Sequence, residues 1–422
     1  MKYIFSHKNF YLILTIVIIK IFFGFSLQNF NPEFFFTTDS YEYIYPASQI
    51  CENGQFNDAN NDPEIRRTPG TSIFLLPAVC LNFNLSKYMV ILNMIMILFS
   101  AYFTYKIVKL IDIKVNPLFI FLIYLFDPTL SKHQYNILSD IIFLFSFTLT
   151  LYFFLYGLKK NNGYYFFSGF ALIVVSTFIR PITLYLPIFL SAFFIFFYLF
   201  NSSFRAKFTY SLLVASLLGL LLHSFLTQIW AYRNFKATGV KEFTYLEFQN
   251  NYLYKTAGII AKNKKKDFLE VKEEFRIKVI NFSRTEFIDY SNTEIKKAIL
   301  SYPLETVIVG LEGAMMTLFT PGTGQYPRMF KINEEYRGVS KIIFNGAGFF
   351  WLFLLCLFAL YGIIKINKNI LFLFIAMTFI YLLIASSSPG AYSRFRIPFM
   401  PLIIIFICCG YQKFLNKFRK IK

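Results

Sequence analysis

From Ile141 to Tyr156 the sequence runs IIFLFSFTLTLYFFLY without a charged residue, and it is one of many such stretches. A hydrocarbon core of ~30 Å needs about 20 apolar residues in a helix, since each adds about 1.5 Å. A membrane β-barrel would alternate apolar and polar residues over segments of roughly ten, which continuous runs exclude. The expected fold class is therefore an all-α polytopic membrane protein. Composition agrees: 56% of the 422 residues are hydrophobic and the mean hydropathy is +0.52, against about 45–50% apolar in soluble domains.

The formal net charge of +19 would suggest nucleic acid in a soluble chain. Here the lysines flank apolar segments, so they read as cytoplasmic topology signals and lipid-headgroup contacts, and no nucleic acid is expected. The five cysteines have no metal or redox spacing. Cys356, Cys408 and Cys409 lie in apolar runs. Cys51 lies in the first external loop with Cys80 soon after it; the two are free to pair, but no spacing rule requires it. The first apolar stretch, about Asn9–Leu27, has no small-x-small cleavage site and is expected to remain as the first span. Lys20 inside it either faces the bundle or snorkels.

Spans are expected near 9–27, 86–110, 115–131, 137–158, 164–180, 181–200, 205–230, 342–364, 369–387 and 395–414. The Lys/Arg-rich links at 106–114, 159–163, 201–207 and 365–369, and both termini, fall in the cytoplasm by the positive-inside rule. Pro303–Pro321 is apolar enough to cross, but counting it would put the C-terminal KFRKIK outside. A re-entrant or surface-lying helix there gives ten spans; an eleven-span count stays open. Ser72–Leu81 is too short to cross. Three parts follow: an N-terminal transmembrane module 1–231 with its first external loop 28–85, an external helical segment 232–302, and a C-terminal transmembrane module 303–422.

This topology gathers Asp39, Glu42, Arg66, Arg67, Asp127, Lys132, His133, Asp140, Arg180, Arg233, Arg328, Arg394 and Arg396 at the outer face. Arg180 sits in FIRPIT between two short spans, where a charge is costly unless it is paired or faces a polar cavity. It marks either an anion-binding cleft or a side chain snorkelling to headgroups. Arg394 and Arg396 are two residues apart, so they need not share a face. Asp39 reads as a catalytic base or as a helix N-terminal residue, and Asp140 as a site acid or a first-turn helix charge. There is no glycine-rich nucleotide loop, no HExxH or CxxC metal motif, and no Ser-His-Asp set.

Asp39–Tyr43 (D-x3-Y), followed by PASQICENGQF and RRTPGTSIFLLP, resembles the first external loop of polytopic GT-C glycosyltransferases. The likeness is to the group containing dolichyl-phosphate-mannose protein mannosyltransferases and bacterial lipid A aminoarabinose transferases. It continues through ILSDIIFLF, STFIRPITLYLP, QIWAYRNFKATG and SRFRIPFMPL, in family order. The resemblance implies a GT-C-like bundle with external amphipathic helices; the Ile/Lys/Asn/Phe-heavy composition and the absence of eukaryotic-style luminal domains point to a bacterial inner membrane, the site facing the periplasm. The resemblance implies Asp39 as catalytic base and Asp140 as the acid at the outer end of the fourth span. Arg66, Arg67, Arg180, Arg233, Arg394 and Arg396, with Tyr43 and His133, match positions around the substrate cleft. Partners would be a polyprenyl-phosphate sugar donor, an unspecified glycan, lipid or protein acceptor, and membrane lipids. Several relatives carry a second acid after the first; here that place is Ser40, so no cofactor is expected and a divalent metal is not indicated. The competing expectations are a lipid-linked glycan flippase and an O-antigen ligase or polymerase using a lipid-pyrophosphate donor.

Overall fold

The computed structural model describes residues 7–200, 210–364, 370–390 and 392–419. The links expected at 201–207 and 365–369 and the outermost terminal residues lie outside the described residues. The chain is all-helical. Ten helices form the N-terminal part: α1 His7–Phe30, α2 Thr38–Asn53, α3 Gly70–Cys80, α4 Leu85–Leu110, α5 Pro117–Phe126, α6 Pro128–His133, α7 Asp140–Lys160, α8 Gly163–Ile179, α9 Leu186–Phe200 and α10 Tyr210–Thr238. The segment that follows holds α11 Leu246–Asn250, a π-helical turn Asn251–Thr256, α12 Ala257–Lys264, α13 Phe268–Lys278 and α14 Arg284–Ser301. The C-terminal part holds α15 Pro303–Phe319, α16 Glu334–Ile364, α17 Ile370–Ser386 and α18 Met400–Arg419. Among the described residues there is no strand, only an isolated bridge between Asn57 and Pro63.

Among the described residues seven segments are long and apolar enough to cross a membrane: α1, α4, α7, Pro181–Phe200, α10, α16 and Ser393–Lys417. Two more of the expected spans, α8 and α17, are apolar helices of 17 residues each. The span expected at 115–131 is not one helix. Pro128 has no N–H to donate and its ring excludes a helical residue before it. Asp127 accordingly takes ψ 125° and restarts the chain as an N-cap, its carboxylate accepting the Leu130 N–H at 3.0 Å. The helix at Pro303–Phe319 leaves α14 at 104°, a bend imposed by Pro303, which is the first residue of α15. The boundary expected at 231/232 falls inside α10, which runs on to Thr238.

Packing follows from the apolar surfaces. Phe154 on α7 meets Phe166 and Phe170 on α8 and Phe374 on α17 at centroid distances of 5.2, 5.0 and 5.6 Å, in the tilted and edge-on arrangements such rings favour. Small residues allow helices to approach. A Cβ on Gly362 of α16 would lie 2.1 Å from the Phe406 carbonyl oxygen, and one on Gly410 of α18 would lie 1.9 Å from that of Phe358. Lys20 faces the bundle, donating to the Leu125 carbonyl at 2.5 Å and the Ser131 hydroxyl at 3.0 Å.

The two ends of α7 differ in kind. At one end Lys159 pairs with Asp112 at 2.6 Å, which joins the two basic links 106–114 and 159–163 on one side. At the other end stands Asp140, fully buried. That end also holds the first loop, where Cys51 at the end of α2 is disulfide-bonded to Cys80 at the end of α3.

Candidate active site

Asp39 lies in the first turn of α2, but it does not cap the helix. The Thr37 N–H donates to the Ser40 Oγ at 2.9 Å, so Thr37 and Ser40 form the cap and the Asp39 carboxylate is left to face other elements. Ser40 is fully buried in that role. Glu42, the remaining candidate for a second carboxylate, is taken up by Arg66 and by Arg67 Nε at 2.5 Å.

The Asp39 oxygens accept from Arg67 at 2.9 Å and from Arg394 at 2.6 Å. Arg394 continues to Asp140 at 2.9 Å, and Asp140 accepts from Arg180 through its other oxygen. The result is an unbroken chain Arg67–Asp39–Arg394–Asp140–Arg180, drawn from α2, the loop before α3, the mouth of α7, the end of α8 and the 3-10 turn Ser393–Phe399 that leads into α18. Local sequence explains each placement. Gly70 lets the RRTPG turn press against α8: a Cβ there would lie 2.5 Å from the Phe178 carbonyl oxygen. Pro181 ends α8 and leaves Arg180 extended at φ −144°. The Arg180 guanidinium lies 5.9 Å from both the Phe143 and Phe395 ring centroids.

The two aspartates are not equivalent. The Asp39 side chain is 26% exposed and Asp140 only 1%. Asp39 lines a large cavity, of about 1150 Å³, and Asp140 does not. Asp140 therefore holds Arg180 and Arg394 in place, and Asp39 is the carboxylate a ligand can reach. Burial pushes the Asp39 pKa up, but the Arg394 and Arg67 charges outweigh it and hold the group below the usual carboxylate range.

The same cavity is lined by eight Lys and Arg residues against two acids, Asp39 and Glu247. Among the described residues Lys132, Lys255, Arg328 and Lys341 have no carboxylate partner. These four are the cations left over for an incoming anion. Lys132 and Arg328 are in the outer-face set read from the sequence; Lys255 and Lys341 are not, because the π-helical turn and the start of α16 reach the cavity only through tertiary packing. The signal available for Lys341 is its place directly before the apolar run of α16, one turn after Arg337, which pairs with Glu334.

Other expected site residues fall as follows. Tyr43 is buried beneath the chain, its hydroxyl 3.2 Å from Ser139 Oγ and accepting from Arg67 at 3.3 Å. His133 lines the cavity, buried, with neither ring nitrogen hydrogen-bonded. Arg66 lies at the cavity rim with Glu42. Arg233 is not in the cavity: it caps the carbonyls of Glu64 and Phe56 at 2.8 and 2.7 Å and stacks on Trp230. Arg396 also turns away, donating to the carbonyls of Leu318 and Thr320 at 2.9 and 2.8 Å and to Thr129 Oγ1 at 2.7 Å. Both arginines stabilise backbone turns, and neither is placed to meet a phosphate. Among the described residues no three His, Cys, Asp or Glu side chains are grouped to hold a metal ion.

No family model matches this chain, and no curated protein matches it.

Proposed function

We propose that this chain is a membrane glycosyltransferase, GT-C-like in its bundle, that moves a sugar from a polyprenyl-phosphate donor to an acceptor hydroxyl. The observation that carries this reading is the contrast within one cavity. Of the two carboxylates that line it, Asp39 is fixed by two arginines and Glu247 accepts from the Tyr185 hydroxyl, while among the described residues Lys132, Lys255, Arg328 and Lys341 form no ion pair.

In the reaction the acceptor oxygen bonds to the anomeric carbon from the face opposite the phosphate, and its proton passes to Asp39. The bond between that carbon and the phosphate oxygen breaks, and the polyprenyl phosphate leaves with one more negative charge than it had in the donor. That charge develops where unpartnered cations already point, so stabilising it needs no reorganisation. The two bonded oxygens of Asp39 retain lone pairs, since an ionised carboxylate offers about four acceptor positions. One step with one base inverts the anomeric centre. The apolar cavity residues Phe189, Ile384 and Phe349 offer a surface for a prenyl chain.

Ten spans suit the bundle if α8, α17 and the broken pair α5–α6 are counted with the seven long segments. The site then faces the extracytoplasmic side: the Lys159–Asp112 end of α7 is the basic, cytoplasmic end, and the Cys51–Cys80 bond lies at the other. Disulfides persist outside the reducing cytosol, which favours a bacterial inner membrane with the site facing the periplasm.

The test is release of free polyprenyl phosphate from a radiolabelled polyprenyl-phosphate sugar by the purified protein in nanodiscs. Asp39→Asn is expected to lower release by about 10²–10⁴-fold, the usual contribution of a general base. Undiminished release by that variant sinks the base assignment. Movement of intact donor between leaflets without release would instead identify a carrier, and turnover restricted to pyrophosphate-linked donors a ligase or polymerase.

A further inference from the structure

Beside the large cavity lies a second, of about 340 Å³, with Arg66 lining both. It sits between the first loop and the external segment, reached by Asp58 and Asn60 from one side and Tyr245 and Arg284 from the other. Two rings from α2, Tyr41 and Tyr45, line it; they stack at 5.9 Å with an interplanar angle of 30°, and Phe36 extends the stack at 5.8 Å from Tyr41. Tyr41 and Tyr45 are 46% and 45% exposed, and neither hydroxyl is hydrogen-bonded among the described residues. Tyrosines of a membrane-interface belt face lipid; these line a concavity between two extramembrane segments.

The charges of this second cavity are already answered. Glu42 is paired with Arg66 and Arg67. Asp58 accepts the backbone N–H groups of Asn60 and Asp62 at 2.9 and 3.1 Å, with Arg284 3.8 Å away. Glu64 accepts the backbone N–H groups of Arg66 and Arg67. The lining sets Glu42, Asp58 and Glu64 against Arg66 and Arg284, and each of these carboxylates already accepts hydrogen bonds, so no unanswered positive charge is left to attract an anion, unlike the large cavity. What remains is the half-exposed ring surface of Tyr41 and Tyr45, their two phenolic hydroxyls and spare carboxylate lone pairs. The ligand chemistry that matches is neutral, rich in hydroxyls, and has a flat C–H face to lie on the electron-rich ring surface.

We infer that this cavity binds a saccharide, laid on Tyr41 and Tyr45, and that it is the acceptor subsite of the chain. Saccharide binding stands on the cavity alone; its acceptor role rests on the transferase reading. The geometry supports the connection, because Asp39 is one helical turn from Glu42, which holds the Arg66 shared by the two cavities.

The experiment is saturation-transfer NMR on the full chain in lipid nanodiscs, free of sugar-headed detergent. The probes are a β-linked N-acetylglucosamine trimer, an α-linked mannose trimer and an α-linked glucose trimer, with trilysine as the charged control. At least one trimer is expected to bind, with affinity falling at least tenfold in the Tyr41→Ala/Tyr45→Ala variant and kept in Tyr41→Phe/Tyr45→Phe. Because both rings are half exposed the alanine pair folds, and an unchanged unfolding temperature verifies this. Binding by none of the three trimers, equal binding by the alanine pair, or tighter binding of trilysine than of every trimer overturns the inference. Asp39→Asn is expected to leave trimer binding unchanged, so loss of the transferase reading and loss of this one are separately visible.

Discussion

Arg394 and Lys132 carry positive charge into the same cavity, yet the two ends they represent behave differently. Around Arg394 every charge has a partner: Asp39 and Asp140 are each held between two arginines. Around Lys132, with Lys255, Arg328 and Lys341, no acid answers. An arginine already bonded to carboxylates positions them, and removing it disturbs the fold. A lysine held at a cavity wall without a partner is a vacancy for an anion. In the proposed reaction the phosphate is therefore assigned to the basic residues that remain after those already paired are subtracted, not to the basic residues as a whole.

The comparison breaks most severely at Asp140. Asp140→Ala leaves Arg180 and Arg394 buried without their shared partner, and breaking such an arrangement typically costs about 3–5 kcal/mol. A thermal unfolding series in nanodiscs is expected to show a large loss of stability, and an unchanged midpoint would mean that the ionic chain does not hold the site. Lys132→Ala or Arg328→Ala is expected to leave the midpoint near its original value and to weaken donor affinity. Loss of one charge-assisted hydrogen bond, about 1.5–3 kcal/mol, corresponds to roughly 10–100-fold. Equal weakening of donor and acceptor binding would remove the phosphate role. Arg396→Ala is expected to cost about 2 kcal/mol through the stranded Leu318 and Thr320 carbonyls, with donor affinity unchanged.

The pH profile sharpens the same contrast. Asp39 is held below its ordinary value by Arg394 and Arg67 against the effect of burial, so it stays ionised as pH falls. No acidic limb is expected above about pH 4, the ordinary aspartate value; a limb near pH 6 would point to another base.

Much of this was legible in the residues. Apolar run length forced a helical membrane fold, and the positive-inside pattern placed Asp39, Asp140, Arg180 and Arg394 on one face, where the structure joins them. The failures are equally physical. Asp127–Pro128 is a helix break written plainly in the sequence, but the apolar count across 115–131 hid it. Arg394 and Arg396 stand in a 3-10 turn whose geometry sends them to opposite sides, and spacing of two residues left that choice open. Arg233 reads like a cleft residue until its donors are seen on the Glu64 and Phe56 carbonyls. Lys255 and Lys341 were invisible because no local pattern says that the external helices fold back over the cavity.

Arg394 is contributed 254 residues after Asp140 and 355 after Asp39. During synthesis, α7 enters the bilayer with its acid matched only by Arg180, and α2 reaches the far side with Asp39 lacking half of its clamp. The order of translation thus makes the turn that carries Arg394 a keystone, and a chain without it in place leaves Asp39 and Asp140 unjoined.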